Sequence, residues 1–231
     1  MQMFSLKNKV AVITGSEGGI GKAIVKGFLE AGALTYELDI KNGIDITNYR
    51  DVEFELKRDM FDHVDILVNC AGITIRNKSE TYSLEDWQRT IKVNLEAPFK
   101  LCQLMFPYMK NEGGSIINIT SVWSEIVLEN NPAYGASKGG LKQLTKCLAN
   151  DWAKYNIRVN NIGLGYFKTN MTKGSWNNHK KRKERISRIP LNRAGYPEDV
   201  IGASIFLASN ASKYITGIDL YIDGVWLING L

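Results

Sequence analysis

The chain has 231 residues, a formal net charge of +5, 44% apolar residues and 23% charged residues. This composition suits one folded α/β domain over residues 1–231 and excludes a wholly disordered chain. No apolar run reaches the roughly 18 residues of a membrane span, and the first residues lack the apolar core of a signal peptide. We therefore expect a cytoplasmic protein with no membrane partner. Because the charge is mild and no binding motif accompanies it, we expect no nucleic-acid partner.

The cysteines and histidines give no sign of a metal or disulfide framework. Cys70, Cys102 and Cys147 are far apart in sequence and lie among apolar residues, which predicts reduced core thiols. The two histidines, His63 and His179, have no metal-ligand spacing. We expect no metal site, and a Ser-His-Asp hydrolase has little support.

A buried strand over Val10–Thr14 and a helix over residues 22–31 flank a glycine-rich turn. The turn carries Gly15, Gly19 and Gly21, and strand, turn and helix in this order predict a dinucleotide site. Gly15 would allow the tight turn, Gly19 would let the backbone approach a pyrophosphate, and Gly21 would let helix and strand pack closely. The helix N-terminus would offer free N–H groups to the phosphates.

A second strand, Leu34–Leu38, ends at Asp39. A carboxylate at this strand end would bind the adenosine ribose hydroxyls and repel a 2′-phosphate. Its neighbour is Ile40 rather than a basic residue, and the glycine turn carries Glu17 and no arginine. The pattern therefore predicts NAD(H) as the cofactor, with NADP(H) less favoured. The simpler interpretation is that Asp39 only opens a turn.

The segment after Asp39 is short for a parallel sheet. Only five residues separate Asp39 from Asp45, whereas a crossover between parallel strands needs about a dozen. Either the third strand is a stub, or the chain stays at the carboxyl edge of the sheet. A helix over residues 49–61 and a strand over residues 65–69 follow. A long helix is then predicted from a capping box at Ser83 to Met109.

A strand over residues 115–120 leads into Ser121, and a helix runs from Tyr134 to about residue 155. Tyr134 and Lys138 are four residues apart and share one helix face. A lysine ammonium beside a phenol favours the phenolate, so the pKa of Tyr134 would fall and the phenol could act as a general acid or base. Strand end, loop and helix start would bring the Ser121 hydroxyl beside the phenol. The simpler interpretation is an ordinary helix start that carries a tyrosine.

Together these motifs resemble those of the short-chain dehydrogenase/reductase family. Thr14 followed by Gly-x-x-x-Gly-x-Gly, the sequence Asn69-Cys-Ala-Gly72, and the serine, tyrosine and lysine agree with the family in order and spacing over nearly the whole chain. The resemblance implies a single Rossmann-type domain, with a doubly wound parallel sheet in three α/β/α layers that is shortened after the second strand. It also implies hydride transfer between a nicotinamide cofactor and an alcohol or ketone, and a homotetramer or dimer.

The resemblance assigns roles to residues at matching positions. Ser121 would hydrogen-bond the substrate oxygen, Tyr134 would exchange its proton, and Lys138 would lower the pKa of the phenol and bind the nicotinamide ribose. Asn94 would hold a water that links Lys138 to solvent, and these four are the predicted catalytic residues. The predicted cofactor-binding residues are Gly15, Ser16, Gly19, Ile20, Gly21, Asp39, Asp45, Asn69, Ala71, Gly72, Tyr134, Lys138, Gly165, Phe167 and Thr169. The predicted substrate residues are Thr74, Ser121, Trp123, Asn131, Tyr166 and Trp176.

Two stretches depart from the family or vary within it. Leu164 stands where the family has proline, which loosens the turn beside the nicotinamide. Residues 170–192 match the family's variable substrate lid, and they contain the basic run 180–185 with Arg188 after it. The basic run is either a solvated helix face or a lid over an anionic substrate.

The pocket candidates mix polar and aromatic side chains, which favours a sugar, a polyol or another polar hydroxylated small molecule as substrate. Two alternatives stay open. One is a 3-oxoacyl carrier-protein reductase, whose acidic carrier would meet the basic run. The other is a non-catalytic nucleotide-binding scaffold, because a fold does not fix a function.

Overall fold

Short runs of β-branched and leucine residues form a parallel sheet in the computed structural model, which describes residues 2–58, 62–127 and 129–229. These runs are apolar along most of their length because helices cover both faces of the sheet. Within the described residues, the strands are β1 (Val10–Thr14), β2 (Leu34–Leu38), β3 (Ile66–Asn69), β4 (Gly114–Ser121), β5 (Ile157–Leu164) and β6 (Asp219–Ile222). Their order in the sheet is β2-β1-β3-β4-β5-β6, and every pairing is parallel.

The strand order reverses at β1, which pairs with β2 on one side and β3 on the other. Thr14 at the end of β1 is in register with Leu38 and Asn69, and Ser121 at the end of β4 is in register with Leu164. The carboxyl ends of these strands therefore meet at one edge. In open α/β sheets this edge, at the point of reversal, is where ligands bind.

Helices cover both faces of the sheet. They are α1 (Gly19–Glu30), α2 (Tyr49–Arg58), α3 (Leu84–Ile91), α4 (Ala97–Met109), α5 (Pro132–Trp152), α6 (Lys173–Asn177), α7 (His179–Ser187), α8 (Ile201–Ala208) and α9 (Trp226–Asn229). One core cluster packs Ile24 and Phe28 of α1 and Leu207 of α8 against the sheet. A second cluster packs α2, α4 and α5 on the opposite face, for example through Leu101 and Leu148. The predicted doubly wound, three-layer α/β/α fold is confirmed.

The chain has no strand between Asp39 and the start of α2. A single 3-10 turn, Ile40–Asn42, ends at Gly43, whose φ of 83° lies in the left-handed region. The chain therefore stays at the carboxyl edge of the sheet, which was one of the two expected outcomes. The predicted helix over residues 49–61 begins at Tyr49 as expected, and its last three residues lie outside the described part of the chain.

The long helix predicted from Ser83 to Met109 is interrupted. Ser83 caps α3 by accepting a hydrogen bond from the backbone N–H of Asp86 at 3.1 Å. Between α3 and α4 the chain forms a π-helical turn, Lys92–Glu96, that contains Asn94. The Asn94 amide bonds outside the helix, and these tertiary bonds hold a wider turn that periodicity alone does not predict.

The prediction of three core thiols is wrong for one cysteine. Cys102 is buried and Cys70 is half-buried, but Cys147 is exposed on α5. Leu144 and Leu148 turn toward the core, and the helical period leaves Cys147 on the other face. None of the helices described here is both long enough and apolar enough to cross a bilayer.

Candidate active site

A cleft of about 760 Å³ opens at the carboxyl edge of the sheet. It contains most of the predicted cofactor-binding and substrate residues, together with Ser121, Tyr134 and Lys138. Four predicted site residues do not line it: Ser16, Asn69, Asn94 and Trp176. The first three are buried behind the wall of the cleft.

The glycine turn after β1 forms the wall at one end of the cleft. Gly15 has a φ of 65°, and a Cβ there would lie 2.7 Å from Ala71 Cα. A Cβ on Gly21 would lie 2.1 Å from the Gly15 carbonyl oxygen. Both glycines are therefore required by packing. A Cβ on Gly19 would lie 3.3 Å from Thr169 Cγ2 across the cleft, so its absence keeps the two walls apart.

Polar groups near this turn suit a nicotinamide dinucleotide. The Ser16 side chain is fully buried, and its hydroxyl has no hydrogen-bond partner within the described chain. The N-terminus of α1 at Gly18 has no side-chain cap, so its N–H groups are available to a pyrophosphate. The bare backbone at Gly19 allows the close approach that such a group needs.

Asp39 has two contacts that bear on its predicted role. One carboxylate oxygen accepts from the Glu17 N–H at 2.9 Å, and the other accepts from the Lys41 N–H at 2.9 Å. Asp39 therefore opens a turn, as the simpler interpretation expected, and it also lines the cleft. Its position at the end of β2 suits binding of ribose hydroxyls. Asp45 lines the cleft as well, at its exposed rim, where its carboxylate accepts from the N–H and the hydroxyl of Thr47, each at 2.8 Å.

Ser121, Tyr134 and Lys138 meet on the floor of the cleft. Ser121 ends β4, accepts from the Trp123 N–H at 3.3 Å and donates to the Leu164 carbonyl at 3.3 Å. Lys138 Nζ donates to the Ile119 carbonyl at 2.7 Å and lies 5.8 Å from the centroid of the Tyr134 ring. The register of β4 and the first turns of α5 thus bring the three side chains together.

Asn94 stands behind this group rather than inside the cleft. Its Nδ2 donates to the Ile73 carbonyl at 2.9 Å and to Ser137 Oγ at 3.1 Å, and its Oδ1 accepts from the Ile73 N–H at 2.8 Å. A Cβ on Gly72 would lie 3.3 Å from Asn94 Oδ1 and 3.6 Å from Lys138 Nζ, so the two side chains flank the same small space. Asn94 ties α5 to the loop after β3.

Burial dominates the titration of the two ionisable groups. It raises the pKa of the Tyr134 phenol, while the nearby Ser121 hydroxyl and the Arg76 guanidinium act to lower it. Burial lowers the pKa of Lys138 to about 8. The prediction named Lys138 as the cation that lowers the pKa of the phenol. The Arg76 guanidinium acts on the pKa of the phenol in the same direction, and the Lys138 ammonium lies over the phenol ring while it donates to the Ile119 carbonyl.

Aromatic residues close the substrate end of the cleft. Thr74, Trp123, Asn131 and Tyr166 line it as predicted. Trp176 does not line the cleft, although its ring centroid lies 6.1 Å from that of Tyr166. Its place in the lining is taken by a tryptophan of α9, Trp226, which packs edge-on against Trp123 and Tyr166.

Sequence reasoning missed Arg76 and Trp226. Arg76 follows Gly72 by four residues in the loop at the carboxyl end of β3, and that position was a signal for a site residue. Trp226 belongs to a short helix after the last strand, and only tertiary packing brings it back to the cleft.

Comparisons with known proteins agree with this geometry. The family profile described as "Enoyl-(Acyl carrier protein) reductase" matches residues 36–224. A 2-dehydro-3-deoxy-D-gluconate 5-dehydrogenase of Bacillus subtilis is 38% identical over 97% of this chain and 96% of that protein. An NAD-dependent glycerol dehydrogenase of Listeria innocua is 36% identical over 97% of this chain and 96% of that protein.

A solved crystal structure is also similar to this chain. The crystal structure of a gluconate 5-dehydrogenase from Burkholderia cenocepacia, in complex with NADP and tartrate, has a TM-score of 0.91 at 31% identity and covers 97% of each chain. The chain belongs to the short-chain dehydrogenase/reductase family. This short-chain dehydrogenase/reductase is an oxidoreductase that uses a nicotinamide dinucleotide.

The arrangement allows this short-chain dehydrogenase/reductase to combine positioning with acid–base chemistry. A substrate oxygen within reach of both Ser121 and Tyr134 would have one hydroxyl to orient it and one to exchange a proton with it. The cofactor, when bound, supplies the hydride acceptor or donor. With the cofactor bound, the protein residues would orient the reacting carbon and exchange the proton of the substrate hydroxyl.

Proposed function

We propose that the protein is an NAD(H)-dependent oxidoreductase that interconverts a secondary alcohol and a ketone on a sugar, a polyol or another polar hydroxylated small molecule. The observation that carries the proposal is that Ser121, Tyr134 and Lys138 line the same cleft as the glycine turn. In oxidation, the hydroxyl proton of the alcohol would pass to the Tyr134 phenolate, and a bound nicotinamide would supply the hydride acceptor. Ser121 orients the oxygen, and Lys138 with Asn94 behind it carries the positive charge beside the phenol.

Asp39 supports NAD(H) over NADP(H), because a carboxylate at the end of β2 disfavours a 2′-phosphate. One observation favours NADP(H): Lys41 also lines the cleft, and its ammonium donates to the Glu17 carbonyl at 3.3 Å beside Asp39. The relatives differ in the same way, since the Listeria protein is named for NAD and the Burkholderia structure holds NADP. We favour NAD(H) because the Asp39 carboxylate is buried and fixed by two N–H donors, whereas Lys41 is exposed.

A 3-oxoacyl carrier-protein reductase is the second candidate. The exposed basic side chains of α7, in the run 180–185, would suit an acidic carrier, and the family profile that matches is described by a carrier-protein reaction. Asp39 argues against this candidate, because that role usually goes with NADPH.

For either function, the proposed assembly is a homotetramer or dimer in the cytoplasm. Each subunit is one domain over residues 1–231, in which residues 170–192 form the substrate lid.

One experiment tests these proposals together. The fluorescence of NADH or NADPH is followed while sugars, polyols, hydroxy acids and secondary alcohols are offered with NAD⁺ or NADP⁺, and while an acetoacetyl thioester is offered with the reduced cofactors. We expect turnover of a hydroxylated class with NAD⁺ and a loss of about 100- to 10,000-fold in Tyr134→Phe. Unchanged turnover in the variant contradicts the acid–base role, and a preference for NADP⁺ contradicts the cofactor assignment. Cofactor binding without any turnover favours the scaffold alternative.

A further inference from the structure

Two arginines that are far apart in sequence, Arg76 and Arg185, both line the cleft. Arg76 lies in the loop after β3, and Arg185 lies in the last turn of α7. Both line the same cleft as Ser121 and Tyr134. Arg76 acts on the pKa of Tyr134, but the acid–base chemistry proposed above gives neither guanidinium a contact with the substrate, so their presence in the cleft needs a further explanation.

Arg185 is held in one orientation. Its Nη1 donates to Ser175 Oγ at 3.0 Å, and its Cζ lies 5.0 Å from the centroid of the Tyr166 ring. Ser175 Oγ is in turn 3.4 Å from the Tyr166 hydroxyl. Stacking on an aromatic face and one hydrogen bond leave the remaining N–H groups of a planar guanidinium free to bind an anion through a fork of two bonds.

Arg76 lines the cleft together with Arg185 and Tyr134. Burial lowers the pKa of the Arg76 guanidinium and the charge of Arg185 lowers it further, while Arg76 itself acts to lower the pKa of Tyr134. Within the described part of the chain, neither arginine has an Asp or Glu within 4.0 Å. Two positive charges in one cleft repel each other when no carboxylate of the protein pairs with them. An anion bound between them would offset this repulsion.

Asn131 adds an independent polar group on the same wall. It is 4% exposed, its Nδ2 donates to Thr74 Oγ1 at 2.9 Å, and its Oδ1 has no hydrogen-bond partner among the described residues. A buried acceptor that lines a cleft and lacks a donor is costly unless a ligand supplies one. A hydroxyl on the substrate is the donor that fits.

We propose that Arg76 and Arg185 bind a carboxylate of the substrate, and that Asn131 accepts a hydrogen bond from one of its hydroxyls. The substrate class is then a polyhydroxy monocarboxylic acid and its keto acid, which narrows the proposed function on which this inference rests. The carboxylate end is held by the guanidinium pair while the reacting carbon lies at Tyr134.

Among the basic residues of the lid segment, only those that line the cleft can bind the carboxylate. Arg188 pairs with Glu184 at 3.5 Å, is half exposed and does not line the cleft. The lysines of α7 are exposed to solvent. Arg185 alone of this basic run reaches the cleft, so Arg188 serves as the matched control.

The test compares D-gluconate with D-sorbitol, which has a hydroxymethyl group in place of the carboxylate. For each protein, kcat/KM is measured with both alcohols, and their ratio removes any effect of Arg76 on Tyr134. We expect the wild type to prefer D-gluconate and the ratio to fall about 10- to 100-fold in Arg76→Gln and in Arg185→Gln. Arg188→Gln should keep both the ratio and the activity. An unchanged ratio in the two cleft variants overturns the inference.

Calorimetric titration of D-gluconate into the NADH-loaded protein gives a second readout that needs no turnover. We expect binding to the wild type that weakens in both cleft variants and at higher salt, but not in Arg188→Gln. No binding to the wild type, or equal binding to all variants, overturns the inference. Turnover of D-sorbitol without D-gluconate binding leaves the proposed function standing. Arginine-dependent binding without any hydride transfer supports the anion site and removes the proposed function.

Discussion

At the scale of single residues, Lys138 carries an electrostatic cost because its ammonium is buried. It is 4% exposed, its ammonium donates to the Ile119 carbonyl, and no carboxylate among the described residues pairs with it. Burial without an anionic partner disfavours the charged form, which is why the pKa falls to about 8. The buried ammonium therefore lowers the free energy of unfolding while it places a positive charge beside the phenol.

This cost predicts a pH dependence of stability. Below about pH 8 Lys138 is charged in both the folded and the unfolded chain, so the folded state bears the full desolvation cost. Between this pKa and the unfolded value of about 10.4, the folded state releases the proton first and stability rises with pH, by up to about 3 kcal/mol. Urea unfolding of the wild type and of Lys138→Met at pH 7.5 and pH 10 isolates the effect. The wild type should gain stability relative to the variant, and parallel pH profiles would contradict the buried charge.

At the scale of secondary-structure elements, α1 and α8 are in close contact through a glycine. A Cβ on Gly27 would lie 2.4 Å from Ile201 Cγ2, whereas a Cβ on Gly202 of α8 would meet nothing within 4 Å. We expect Gly27→Ala to lower the free energy of unfolding by about 1–3 kcal/mol through overpacking. Gly202→Ala should raise it by about 0.5–1 kcal/mol, since alanine loses less entropy in a helix. Urea titrations measure both, and a stabilised Gly27→Ala would refute the contact.

The sequence predicts the elements that depend on neighbouring residues, but not those that depend on distant contacts. The strand, glycine turn and helix from Val10 onward depend on neighbours in the chain, so local rules predict them. The π-helical turn at Asn94 depends on hydrogen bonds to Ile73, 21 residues away, and periodicity carries no signal for it. Trp226 lines the cleft where Trp176 was predicted to do so, because the packing of α6 and α9 decides which ring faces the cleft.

At the scale of the whole molecule, the cleft joins two parts of the chain that need not be occupied together. The glycine turn, Asp39 and Thr169 line the part of the cleft that is predicted to hold the cofactor. Thr74, Trp123 and Trp226 line the part that is proposed to hold the substrate. Because a ligand that binds only the folded state stabilises it by mass action, cofactor binding can be measured without knowing the substrate.

The predicted cofactor contact at Gly19 can be tested in this way. We expect NADH at 100 times its Kd to stabilise the wild type by about 2.7 kcal/mol, or roughly 5–10 °C in Tm. A Cβ at Gly19 lies 3.3 Å from Thr169 Cγ2 across the cleft, so Gly19→Ala should keep the Tm of the free protein and lose most of the shift with NADH. Gly202→Ala, which is far from the cleft lining, should keep the full shift. A full shift in Gly19→Ala means that the pyrophosphate does not approach the backbone there, and an equal loss in Gly202→Ala means that the effect is not local to the cleft.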